Sequence, residues 1–196
     1  MDSIPRSLTL ALSLALCLSM GCATNRPQNI RLDPPVQVAR SNVGQGKTLQ
    51  LQIKDVRPRK TLGVVGDLET SYAHVSIEDD FSGSLYQSVS AGLRELGFAV
   101  QPTPASDLRT LTVEVREIDY ESLRKGVTYE TQAKVAIAAI GENAAERYER
   151  LYSAGETKSA PFPPTASENS RAVNALVSAT LQDMLADDKL LGVMVR

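Results

Sequence analysis

No tryptophan occurs in this chain, and it holds only one histidine and two cysteines. Each scarcity removes a class of function. With Phe, Trp and Tyr together at 5% of residues, stacking platforms for bases or sugars are scarce. A lone histidine, His74, leaves zinc to be held by carboxylates alone, so no metal or cofactor is expected. Charge of one sign is missing too. Lys and Arg number 21 against 23 Asp and Glu, a net charge of −2, which gives no electrostatic reason to bind nucleic acid. Nor is there a long apolar run: SLTLALSLALCLSM, residues 7–20, falls short of the roughly 20 residues a membrane-crossing helix needs.

What is present begins at the N-terminus. Arg6, the apolar run 7–20 and the small Gly21 follow the order of a secretory signal peptide. Cys22 stands directly after Gly21, and the chain then turns polar. A cysteine in that position resembles the lipobox of bacterial lipoproteins. The resemblance implies cleavage before Cys22, a diacylglycerol on its thiol and acylation of its new amine. Cys17 is removed with the signal, so an unmodified Cys22 would be a lone thiol in an oxidising compartment. Lipidation resolves this, and more than one acyl chain gives stable anchoring. Ala23, where an inner-membrane lipoprotein of enteric bacteria carries Asp, implies the periplasmic face of the outer membrane.

Residues 1–21 are thus expected to be signal, residues 22–45 a Pro- and Gly-containing flexible tether, and residues 46–196 one domain. Removing the signal leaves 175 residues, enough for a real core. Leu49, Leu51 and Ile53 alternate with polar residues as in a strand with one wet face. Residues 55–66, with Pro58 and two glycines, read as a loop. Ala73, Val75 and Ile77 mark a second strand. Phe81, Leu85, Val89, Leu93 and Leu96 recur at helical spacing, with Asp79 or Asp80 as cap and Gly97 as stop. Leu111, Val113 and Val115 form a third strand. Two long strands follow, from Val127 to Ala139 and over RYERLYSAGETK. A last amphipathic helix is expected after PFPPTAS with Ser167 as N-cap, ending before a solvated turn at Asp187 and Asp188. Successive strands with short links favour antiparallel pairing. The expected fold is an α+β two-layer sandwich, a mainly antiparallel sheet with two amphipathic helices on one face.

Chemical motifs are few. SNVGQGKT, residues 41–48, has Ser41 where a phosphate loop has its first glycine, and it opens a strand rather than a helix. His74 sits on the wet side of its strand, without a nucleophile elbow around any serine. Glu78, Asp79 and Asp80 suit a helix N-terminus, whose dipole favours acidic side chains. The basic loop of Arg57, Arg59 and Lys60 is the candidate binding feature, for anionic head groups or peptidoglycan carboxylates, with a solvated hairpin loop as the alternative.

Several stretches occur in a telling order: DVRPRKTLG, LRELGFAV, ESLRKGVTYETQAKVAIAAI and ALVSATLQDMLAD. With the lipobox, they resemble the YajG-like family of bacterial envelope lipoproteins over nearly the whole mature chain. The resemblance implies an envelope lipoprotein and no catalytic residues. The expected function is a non-catalytic, periplasm-facing binding or accessory module with an envelope protein or peptidoglycan as partner. An auxiliary subunit of an envelope transport or assembly complex is the alternative. A third class, a hydrolase, would need two carboxyls converging in a pocket, one with a raised pKa.

Overall fold

The computed structural model describes residues 26–78, 81–103 and 109–196. Cys22, the signal segment and the acidic pair Asp79 and Asp80 lie outside the described residues. Eight strands and three helices occur among those described: β1 (Gln28–Ile30), β2 (Thr48–Asp55), β3 (Thr61–Asp67), β4 (Ser71–Ile77), α1 (Ser82–Glu95), β5 (Ala99–Gln101), β6 (Thr110–Lys125), β7 (Thr128–Glu142), β8 (Arg147–Ala160), α2 (Ala166–Leu185) and α3 (Asp188–Val195).

β6 organises the sheet. One of its edges pairs antiparallel with β7 along its whole length, and β7 pairs antiparallel with β8. The other edge takes two strands end to end, both parallel. Gln50 to Asp55 of β2 lie against Thr110 to Val115, and Val65 and Gly66 of β3 against Ser122 and Leu123. β5 extends the sheet beyond β2; β4 and then β1 extend it beyond β3. A register shift between Val115 and Glu117 has a clear purpose. Leu111, Val113 and Val115 point inward at odd positions; after the bulge Ile118, Tyr120 and Ser122 do so at even ones, and all six are buried. Without the extra residue the second half would turn its apolar side to water.

The result is a curled mixed sheet in which the antiparallel ladders of β3 with β4, β6 with β7 and β7 with β8 hold most of the paired residues, as expected, and parallel strands are added along the other edge of β6. Four of its seven strand pairings are parallel: β1 with β4, β2 with β5, β2 with β6 and β3 with β6. A tight hairpin returns antiparallel, but α1 intervenes in three of these parallel pairs, and β2 and β3 intervene between β1 and β4. The segment read as a loop, residues 55–66, contains most of β3. Its glycine at 63 does not break the strand; it permits close packing, since a Cβ there would lie 2.1 Å from the Tyr120 carbonyl oxygen.

The helices pack over different strands: α1 over β2 and β5, α2 over β1, β7 and β8, and α3 over β7 and β8. α1 buries Leu85, Val89 and Leu93 at four-residue spacing, as its periodicity dictates. Its end is a Schellman turn. The Gly97 amide donates to Arg94 and the Phe98 amide to Leu93, with Gly97 at φ +88°. The N-cap of α2 is Thr165, not Ser167. Thr165 and Glu168 form a reciprocal capping box, leaving Ser167 inside the first turn. α3 was not expected at all.

The tether expectation fails from Gln28 onward. β1 pairs with β4, Ile30 and Leu32 are buried, and Asn174 of α2 binds the backbone of Arg31 and Asp33. Farther on, the amides of Ser41, Gly44 and Gly46 donate to the carbonyls of Glu95, Leu96 and Gly97. These residues satisfy the end of α1, which their sparse apolar pattern did not reveal.

Candidate functional site

The basic loop fills the fork where β2 and β3 part along β6. Asp55 ends β2 and gathers the loop around itself. Arg57 donates from Nε and Nη2 to its two carboxylate oxygens at 2.8 and 3.0 Å, and Lys60 Nζ adds a third contact at 2.8 Å. The Arg57 amide donates to Asp55 as well, at 3.2 Å. The guanidinium also lies 5.0 Å from the centre of the Phe81 ring, and the side chain is only 4% exposed. Burial pushes the Asp55 carboxyl up, but the hydrogen bonds from Arg57 and Lys60 outweigh it and hold the group well below the usual carboxylate range. Arg57 is therefore a buried structural cation, and only Arg59 and Lys60 reach solvent.

Arg59 leans across to Asp119 of β6 at 3.3 Å. Together they open a groove of about 510 Å³ on the sheet, lined also by Gly63, Glu121, Gln132, Lys134, Glu156 and Thr157. Next to it, Lys134 pairs with Glu117 at 2.8 Å and lowers that carboxyl. Burial first, and then the neighbouring Glu117, raise Asp119 against the pull of Arg59. Two cations face three carboxylates in the lining. The groove therefore carries no excess of positive charge, although Arg59 of the basic loop lines it.

The remaining sequence candidates do not converge. His74 is exposed on β4 and packs edge-on against Tyr72, ring centres 5.6 Å apart. In the SNVGQGKT stretch, the Gly44 and Gly46 amides that a phosphate would need donate instead to the carbonyls of Leu96 and Gly97, just past α1. Among the described residues, no cluster of three or more His, Cys, Asp or Glu is placed to hold a metal ion.

A centre that sequence reasoning missed lies at Asp187. It is 8% exposed, not a solvated turn. One oxygen accepts the amides of Lys189 and Leu190 and caps α3; the other accepts Tyr148 Oη at 3.1 Å, Tyr152 Oη at 2.7 Å and Arg150 Nη1 at 2.9 Å. Burial raises this carboxyl, but Tyr152, Arg150 and the helix amides dominate and bring it down to about 2. The legible signal was Tyr148, Arg150 and Tyr152 at alternate positions of one strand, sharing a face. A second buried relay joins Tyr120 Oη to Asn169, whose amide donates to Gln28 of β1 at 2.6 Å. Burial pushes the Tyr120 phenol up to about 12.

These features define a small mixed α/β domain whose buried ionisable groups are engaged in holding its own elements together. The chain belongs to the Lipoprotein_16 family, uncharacterized lipoproteins of the YajG type, whose family model matches residues 34–194. Membership implies association with a bacterial membrane. No curated protein sequence matches the chain. Among solved structures, the crystal structure of an uncharacterized protein is similar with a TM-score of 0.51 at 14% identity, covering 82% of this chain and 99% of that one. The Xanthomonas campestris protein XCC0632, of the DUF330 family, has a TM-score of 0.49 at 13% identity, covering 87% and 97%. At such identity the first likeness concerns the fold alone.

Proposed function

We propose that this protein is a non-catalytic lipoprotein, anchored through Cys22 to the periplasmic face of the outer membrane, that serves as a binding or accessory module. The observation that carries the reading is β8. It spans 14 residues and, among the described residues, pairs only with β7. Its free edge offers backbone donors and acceptors to an extended segment of an envelope protein, with Leu151, 54% exposed, as an apolar anchor. Photo-crosslinkers at Leu151 and Arg59 in cells, followed by mass spectrometry, test it. Capture from residue 151 of one protein in near-stoichiometric yield supports the module, and marks it as an auxiliary subunit if that protein belongs to a transport or assembly machine. Capture from residue 59 alone would refute the edge. Lipidation has its own test: Cys22→Ala is expected in the soluble periplasmic fraction or left unprocessed, and outer-membrane fractionation like wild type would refute anchoring.

One observation favours a hydrolytic reading: Glu117 and Asp119 stand beside one groove with their carboxyls shifted in opposite directions. Both are engaged by Lys134 and Arg59, which favours the binding role. Turnover of a peptidoglycan or peptide substrate, abolished in Asp119→Asn, would reverse this preference.

A further inference from the structure

We infer that the end of the sheet bearing Leu68, Val127 and Phe162 rests on the membrane surface, with these three side chains entering its apolar boundary. The inference deepens the anchoring reading and rests on it for the position of the lipid. Val127 is 89% exposed, Phe162 76% and Leu68 57%, the highest values among the large hydrophobic side chains described. Strand pairing brings all three to one end. Leu68 lies in the turn between β3 and β4, and Val127 in the turn between β6 and β7; residues of both turns line one shallow depression. Phe162 follows β8, whose last residue, Ala160, pairs with Tyr129 at the start of β7. Adjacent strands lie about 4.8 Å apart, so the three strand steps from β3 to β8 span roughly 15 Å.

The chain's own N-terminus selects this end. Arg26 shares a cleft with Val65, Pro163 and Pro164, and Cys22 precedes it by only four residues. Four residues reach about 14 Å at full extension. Val65 pairs with Ser122 and Ser122 with Thr131, so the opposite end, at Glu142, is eleven residues along β7. That distance is roughly 35–40 Å, which the leash cannot cover. Packing of the supposed tether has thus shortened it from some twenty residues to four, and the domain is held against the membrane with its apolar end foremost. Charge does not drive the contact, because Arg26, Arg124 and Lys125 are balanced by Asp67, Glu69 and Glu130.

The test uses the full lipidated chain, in which Cys17 has left with the signal and Cys22 is capped, so an introduced cysteine is the sole free thiol. Val127→Cys, Phe162→Cys and, at the far β7–β8 turn, Ala145→Cys are labelled with the fluorophore NBD. Each is reconstituted into phosphatidylethanolamine–phosphatidylglycerol liposomes containing a lipid with a shallow nitroxide. The expected result is loss of most fluorescence at 127 and 162 and none at 145, unchanged when phosphatidylcholine replaces phosphatidylglycerol. With the diacylglyceryl mass confirmed on Cys22, bright labels at 127 and 162, or equal quenching at 145, overturn the orientation and leave anchoring intact. An unmodified Cys22 refutes anchoring instead. In that case the same labels are placed in a chain with Cys17 and Cys22 replaced by Ala, where quenching confined to 127 and 162 sustains the apolar contact by itself and its absence overturns both.

Discussion

Replacing Asp187 with alanine removes one carboxylate from five donors. The capping of α3 loses the acceptor for two amides, a change that costs about 1 kcal/mol in comparable caps. Tyr152 Oη, buried beneath α3, is left without its acceptor, which costs a further 1–3 kcal/mol or so. Arg150 is 57% exposed and turns to water, so its share is small. The sum is about 2–4 kcal/mol, or a fall in melting temperature of roughly 4–16 °C for a domain of this size. Circular dichroism melts of the protein in detergent measure it. Tyr152→Phe should lose less than Asp187→Ala, because the cap survives. The pH dependence has a definite sign. The folded carboxyl, at about 2, lies below its ordinary value of 3.8. Its contribution is therefore complete above about pH 4 and is lost as pH falls toward 2. The difference between wild type and Asp187→Ala should accordingly shrink across that interval. A variant melting within about 1 °C of wild type at pH 7 would refute the assignment of Asp187 as the latch of α3.

Ile30→Ala should destabilise the protein by about 2–5 kcal/mol in a urea titration, as for a core deletion, whereas a flexible tether would give no change. Thr165→Ala should cost about 1 kcal/mol and Ser167→Ala almost nothing, since only Thr165 closes the capping box. Asp55 is lowered as Asp187 is, so its ionised pairing with Arg57 and Lys60 stabilises above about pH 4 and fades in acid. An acid titration of Asp55→Asn, followed by circular dichroism, should show a shallower decline below pH 4 than wild type. Gly63→Ala should cost about 1–3 kcal/mol, because the new methyl meets the Tyr120 carbonyl, and a thermal melt equal to wild type would argue against the close approach of β3 and β6.

Much of the fold was written in local pattern. The period of Leu85, Val89 and Leu93 determined α1, alternation determined β2 and β7, and Gly97 determined where α1 stops. The order of short patches pointed to the family over most of the mature chain. Such signals depend on a few neighbouring residues and on backbone geometry, so they survive without tertiary knowledge. Glycine misled at β3 because the same residue that relaxes a turn also permits close strand packing. α3 was missed because its eight residues, DKLLGVMV, are too short to display a period of their own.

The candidate site was less legible, for a physical reason. Arg57, Arg59 and Lys60 look like a cationic patch when only their neighbours in sequence are counted. Their electrostatics are decided by Asp55 at the end of β2 and by Asp119, sixty residues away on β6. Asp187 likewise takes its meaning from three side chains of β8. By itself, then, the sequence determined α1, α2 and the long strands, and through Gly21 and Cys22 it set the expectation of a lipid anchor. Tertiary structure alone decided that β2 and β3 share one edge of β6, that residues from Gln28 onward are packed, and that the cations of the basic loop are paired with Asp55 and Asp119. Ion pairs and strand partners are long-range choices, set by the competition of every segment for burial and hydrogen bonds at once.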